Sequence, residues 1–303
     1  MLVRYTEWIL KWRYLVIILA LVMVGLIGSG APKLMPFSND YRVFFSDDNP
    51  QLNAFENMQN TYTKDDNVLF VVSPKNGNVF TPKTLAAIQD ITDKAWQIPY
   101  SIRVDSVTNF QHTYAEEDDL IVDDLVLETD SLSTEDLNYI KQVALKEPQL
   151  AKRLISADAA HTGINITIQL PGIDQMNENP ATVAYARKML AEAKAKYPQI
   201  DFRLAGMAMM NNAFPEASKA DGQTLIPIAF GVIIIVLLLL LKGLSGTAAT
   251  VLLVLFSIVI GMGMGGHTGI KLTPPSASAP IIILTIAIAG AVHLLVTMLP
   301  EIH

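Results

Sequence analysis

One histidine stands inside a long apolar stretch of this chain. His293 lies about two-thirds of the way through residues 277–299, and no other acid or base shares that stretch. At 3.6 residues per turn Gly290, His293 and Thr297 fall on one helical face. Ionisable groups are costly in hydrocarbon and tend to face the interior of a helical bundle. An imidazole whose ordinary pKa is about 6.5 can relay protons or sense pH in such a place. It can also rest neutral against a backbone carbonyl or near the membrane boundary, and the residues alone leave both readings open.

Other residues that could do chemistry are weaker. Glu116-Glu117-Asp118-Asp119 with Asp123 and Asp124 are numerous enough to attract calcium, but they lack the EF-hand glycine and terminal glutamate and read as a solvated acidic loop. His112 and Glu116 are spaced i, i+4 without the second histidine of a zinc protease. Met207, Met209 and Met210 suit a soft metal, yet with no cysteine or nearby histidine they fit better as core filling or as the lining of a greasy groove. Gly261-Met262-Gly263-Met264-Gly265-Gly266 follows no strand and precedes no acid, so it does not read as a dinucleotide fingerprint; Gly261 and Gly265 form a small-xxx-small pair suited to helix packing. The absence of cysteine excludes disulfides and thiolate chemistry. No Gly-x-Ser-x-Gly elbow, phosphate loop or HExxH is present, so no enzymatic activity, metal site or cofactor is expected.

The elements that must hold these residues are set by hydropathy. With 51% hydrophobic and 17% charged residues and a mean hydropathy of +0.34, the chain must serve two environments. Residues 14–30 form one apolar run, extended by Trp8, Ile9, Leu10 and Trp12. Residues 225–241, 247–266 and 277–299 form three more, the last after the Pro274-Pro275 break. A cleaved signal peptide is disfavoured by the length of the first run, its flanking tryptophans and Pro32. Arg4, Lys11 and Arg13 before the first span, and Lys242 after the second, place both ends on the cytoplasmic side. Residues 31–224 hold 17 basic and 27 acidic residues, and the rest of the chain 5 and 2. An acidic outer domain is a poor partner for nucleic acid.

Within that domain, residues 67–73, 81–96 and 102–109 read as strand, helix and strand. Ser133 and Asp136 resemble a capping box opening a helix to about Lys146. Residues 163–170, 180–197 and 200–205 give a second β-α-β unit. The expected domain is α+β, with helices on one face of a mixed sheet.

The order of one span, an α+β domain and a cluster of spans resembles the first half of a resistance-nodulation-division (RND) transporter. Tyr41-Arg42-Val43-Phe44-Phe45 through Asp48-Asn49-Pro50-Gln51-Leu52, residues 67–74, Val104-Asp105-Ser106-Val107-Thr108-Asn109, and residues 279–285 running into Val292-His293-Leu294-Leu295 carry the likeness. They are similar to the branch exporting hydrophobic and amphiphilic compounds, including hopanoid and mycobacterial lipid (MMPL-type) transporters. The resemblance implies four transmembrane helices with a periplasmic porter-like domain between the first and second. Residues 1–30 would hold the N-terminus and first span, 31–223 the outer domain, and 224–303 the remaining spans, in a bacterial inner membrane.

Two departures bear on mechanism. Relatives usually run through two such halves, so a second half or a homo-oligomeric partner is expected. Their fourth span commonly carries an aspartate where this chain has Gly290, so proton drive does not carry over directly. The expected function is export of lipid-like compounds. Phe44, Phe45, Phe55, Phe70 and Phe110, with Met207, Met209 and Met210, are expected to line or support a cleft between the two β-α-β units, and residues 213–223 to couple domain motion to the second span. The alternative is a membrane-anchored lipid or sterol sensor or assembly subunit without active transport.

Overall fold

The computed structural model describes residues 2–34, 45–46, 48–62, 66–116, 119–129, 131–174, 176–241, 243–270, 272–273 and 276–302; for residues 2–6, 60, 116, 295, 296 and 298–302 only the backbone is described. Phe44 and the rest of residues 41–44, Lys242, Pro274, Pro275, Glu117 and Asp118 lie outside the described residues. The chain divides into two compact units. One is Phe45–Ala213, and the other combines Met1–Phe44 with Phe214–His303.

In the second of these units, α1 (Leu2–Lys11) precedes α2 (Arg13–Gly28), which ends in a 3-10 turn at Ala31–Leu34. α7 (Met207–Leu241) begins in the other unit and contributes most of its length here. α8 (Leu244–His267) and α9 (Ala279–Ile302) follow. Among the described residues, four helical stretches are long and apolar enough to cross a membrane: Arg13–Leu34, Met207–Leu241, Leu244–His267 and Ser276–Leu294. No more than 17% of any of their apolar windows is buried within the chain. Surfaces of that size are not left in water, so lipid or further protein must cover them. α7 has 35 residues, roughly 52 Å at 1.5 Å each, which exceeds a hydrocarbon core of about 30 Å. Pro215 and Pro227 lie inside it, each removing one backbone hydrogen bond.

The unit Phe45–Ala213 is built on one sheet. β1 (Asn67–Pro74) and β2 (Ser101–Asp105) are joined by α4 (Pro82–Ala95). β5 (Thr162–Ile168) and β6 (Ile200–Ala205) are joined by α6 (Glu178–Lys196). Both β-α-β segments expected from the sequence are present, but they are not separate lobes. The strand order is β2-β5-β1-β6, so each unit's two strands are parallel to one another with a strand of the other unit inserted between them. Every adjacent pair is therefore antiparallel, which corrects the expected mixed sheet. This is the split β-α-β, ferredoxin-like arrangement. It also leaves no boundary between two lobes for the expected cleft to follow.

The register explains the core. Val68, Phe70 and Val72 are buried on alternate positions of β1, opposite Ile166, Ile164 and Thr162 on β5, while Phe70 and Val72 face Leu204 and Phe202 on β6. Period-two burial of this kind is what an antiparallel sheet covered on one face requires. α4 covers that face with Leu85, Ile88, Ile91 and Ala95, and α6 with Val183, Ala186, Met189 and Ala193. Thr81 caps α4 by accepting from the Thr84 N–H, with Pro82 at the first helical position. α6 begins at Glu178, two residues before the position expected. Its buried carboxylate accepts the N–H groups of Gly172, Ile173 and Asp174 and ties the preceding loop to the helix.

Three elements complete the unit. α3 (Pro50–Thr61), which the sequence reading did not identify, is capped by Asn49, whose side chain accepts from Gln51 and Leu52. α5 (Thr134–Lys146) opens with the Ser133–Asp136 capping box, reciprocal as expected. The acidic segment is not a loop. β3 (Gln111–Glu116) and β4 (Asp119–Asp124) pair as an antiparallel hairpin, with His112 opposite Asp123. Leu120, Ile121 and Val122 supply strand-forming residues between the acids, and those override the solvated-loop reading.

Candidate functional site

The membrane unit brings three elements together at the end of α8. A Cβ on Gly30 would overlap the Gly263 carbonyl and the His267 ring. One on Gly263 would overlap the Ile27 carbonyl, and one on Gly266 the Gly30 carbonyl. Backbone therefore meets backbone between the end of α2 and the end of α8, an approach only glycine permits. The pair named from the sequence lies elsewhere. Gly261 faces the Ile283 side chain on α9, and Gly265 has ordinary contact with Leu34. All of these glycines lie in one run, and helical spacing alone does not tell which of them meets the neighbouring backbone.

This close approach sets Ser29, Lys33 and His267 beside one another. Lys33 Nζ lies 3.5 Å from His267 Nδ1, while His267 Nε2 lies 3.3 Å from the Leu26 carbonyl and 3.4 Å from Ser29 Oγ. An ammonium has no lone pair, so the Lys33 contact requires Nδ1 to accept and the ring proton to sit on Nε2, from which it donates to Leu26. Ser29 Oγ donates to the same carbonyl at 2.7 Å. His267 is more than 230 positions from both Ser29 and Lys33 in sequence, and no motif signals their meeting.

The histidine of the last span is placed differently. His293 is exposed on α9, and the hydroxyl of Thr297 donates to the His293 backbone carbonyl rather than to its ring. A Cβ on Gly290 would meet nothing within 4 Å. Among the described residues of α9, Leu284 and Ala291 are the buried ones. Gly290 and His293 are exposed among the described residues.

The expected cleft residues of the other unit differ in burial. Phe70 is fully buried in the sheet, so it supports the fold from inside and lines no surface. Phe110 is half-buried against the same core, Phe55 is half-buried on α3, and Phe45 is 49% exposed. Met207 and Met209 are half-buried and Met210 exposed on the first turns of α7. That helix start is anchored by asparagine: the Met207 N–H donates to Asn67 Oδ1, and Asn67 Nδ2 donates to Asn165 Oδ1 at 2.6 Å. Gly206, at φ +107°, makes the turn possible, since a side chain there would strike the Asn67 carbonyl.

The polar groups of this unit serve structure. His112 Nε2 lies 3.2 Å from the Tyr139 hydroxyl, and its ring stacks on Tyr114. Asp90 accepts from Lys94 and Lys196 ammonium groups and the Tyr197 hydroxyl, tying α4 to α6. Burial pushes its carboxyl upward, but these three donors outweigh burial and hold it below the usual carboxylate range. The i, i+4 part of that network was readable in the sequence, whereas Lys196 arrives through tertiary packing. A cavity of about 480 Å³ opens between Pro74-Lys75-Asn76, residues 81–84 and Gln199, and none of the expected aromatic or methionine residues lines it. Among the described residues, no group of three or more His, Asp or Glu side chains is arranged to hold a metal ion.

A family model described as the MMPL family matches residues 44–297. No curated protein matches the chain.

Proposed function

Since this chain belongs to the MMPL family, and is a multi-pass membrane protein of the RND transporter type, we propose that it exports hydrophobic or amphiphilic compounds such as lipids from a bacterial inner membrane. It works by binding and movement rather than covalent catalysis. Residues 31–223 form the periplasmic domain that receives substrate. The observations that support this reading are the family match over residues 44–297 and the four long apolar helices, with the unit Phe45–Ala213 lying in sequence between the first and the second of them.

His293 is the proton-binding candidate. It is the ionisable side chain described in the interior of the last span, and its open face beside Gly290 has room for a neighbouring helix. An ionisable group turned toward lipid is costly, so that face is covered in the working assembly by a second transporter half or another copy of this chain. The alternative, a lipid-sensing or assembly subunit without active transport, is favoured by one feature: glycine at position 290 carries no proton.

The test is reconstitution of the full chain into vesicles with a fluorescent lipid analogue and an imposed pH gradient. Redistribution of the analogue that follows the gradient and is lost in His293→Ala supports transport. Binding of the analogue with no response to the gradient supports the sensor reading. Neither binding nor redistribution would defeat both.

A further inference from the structure

We propose that α1 is an interfacial helix lying flat in the headgroup layer and binding anionic lipid, in the leaflet where the first span begins. The first span does not need α1 to cross. Without it, Arg13–Leu34 has 22 residues and is already long and apolar enough to cross a membrane. The backbone also changes between the two helices: Trp12, at φ −104° and ψ 22°, departs from helical dihedral angles between the end of α1 at Lys11 and the start of α2 at Arg13, while its N–H still donates to the Trp8 carbonyl.

The sequence of α1 has the composition of a surface-bound helix. Its charged residues, Arg4, Glu7 and Lys11, recur at three- and four-residue intervals and so form a single stripe. The remaining positions are apolar apart from Thr6 and Tyr5. Trp8, Leu10 and Trp12 are 53%, 63% and 47% exposed, so a large part of each side chain is left uncovered by the described residues. A helix with one charged stripe and a tryptophan-bearing apolar side settles into the boundary between headgroups and acyl chains. The bilayer is the nearest surface able to cover it, because α1 is joined directly to a membrane-crossing helix. Charge selects the lipid: Arg4, Lys11 and Arg13 stand against the one acid Glu7. Basic residues at this depth attract anionic headgroups.

The chain's three tryptophans make the test direct, since two lie in this segment and the third is Trp96. Two single-tryptophan forms of the full chain are needed, one keeping Trp8 (Trp12→Phe, Trp96→Phe) and one keeping Trp12 (Trp8→Phe, Trp96→Phe). Each is reconstituted into phosphatidylcholine–phosphatidylglycerol vesicles whose lipids carry bromine at a shallow acyl position. A flat helix places both tryptophans at one depth, and both are quenched to a similar degree. A helix standing upright on the span would carry Trp8 about 6 Å farther out than Trp12, and quenching of Trp12 alone overturns the proposal. Quenching of neither, as when a protein partner covers α1, also overturns it. For the lipid preference, brominated phosphatidylglycerol should quench Trp8 at least about two-fold more than brominated phosphatidylcholine at the same mole fraction, and added salt should erase the difference. Equal quenching by the two lipids at low salt overturns the assignment to anionic lipid.

Discussion

Gly30 and Gly263 meet so closely that a methyl group on either would enter the other helix: on Gly30 it would overlap the Gly263 carbonyl, and on Gly263 the carbonyl of Ile27. The first and third spans are joined here by backbone rather than by side-chain bulk. In a membrane, where water does not drive apolar surfaces together, such contact is a main source of helix association.

Alanine at Gly263 or Gly266 should therefore destabilise the membrane unit, because the atoms in the way belong to backbone. Overpacking of this kind costs about 1–3 kcal/mol. Gly265→Ala, with only ordinary contact to Leu34, should change little. Thermal unfolding in detergent distinguishes the three, and equal loss at all of them would refute the asymmetry.

The open face of α9 gives the opposite expectation. Gly290→Ala should leave stability of the chain unchanged within about 0.5 kcal/mol, since no atom stands near the added carbon. Gly290→Asp places a carboxyl group one turn from His293, and is expected to raise the gradient-dependent share of lipid-analogue transport in vesicles. No change in that share would remove Gly290 from the proton pathway.

Asp90 should make the stability of Phe45–Ala213 depend on acid. Its folded carboxyl sits below the ordinary range, so its contribution is fully present above about pH 4 and is lost as pH falls through the lowered value. The pairing is partly solvent-exposed, and Asp90→Asn should cost no more than about 1 kcal/mol at neutral pH. At pH below the lowered folded value the variant and the parent should converge. Circular dichroism across an acid titration measures both; a constant difference at all pH values would contradict the assignment.

Asn67 carries the junction between the sheet and α7. Asn67→Ala leaves the Met207 N–H and the Asn165 side chain without this partner, a loss of about 1–3 kcal/mol. Hydrogen exchange should accelerate at Met207 and through the first turn of α7, while β1 remains protected. Unaltered exchange at Met207 would show that the helix start is held by other contacts.

Much of this architecture was readable along the chain because its signals are local. Each span is a run of about 20 apolar residues, and no partner is needed to recognise it. The strand–helix–strand segments, the Ser133–Asp136 capping box and the Pro82 helix start depend on residues within one or two turns of each other. The acidic hairpin escaped notice because carboxylates obscure the strand character of Leu120, Ile121 and Val122. Composition does not show that Trp12 departs from helical dihedral angles between α1 and α2.

Tertiary structure decided which distant segments meet. Strands β1 and β5 pair across some 90 residues, and their insertion between one another's partners interleaves the two β-α-β units in one antiparallel sheet with Phe70 inside it. The same holds in the membrane, where Gly263 and Gly266, rather than Gly261, reach the backbone of α2, and where Lys33 finds His267. Periodicity reports which face of an element is apolar, but it carries no information about which other face will cover it. That choice is made by shape and register between surfaces far apart in sequence, and it appears only once the chain has folded.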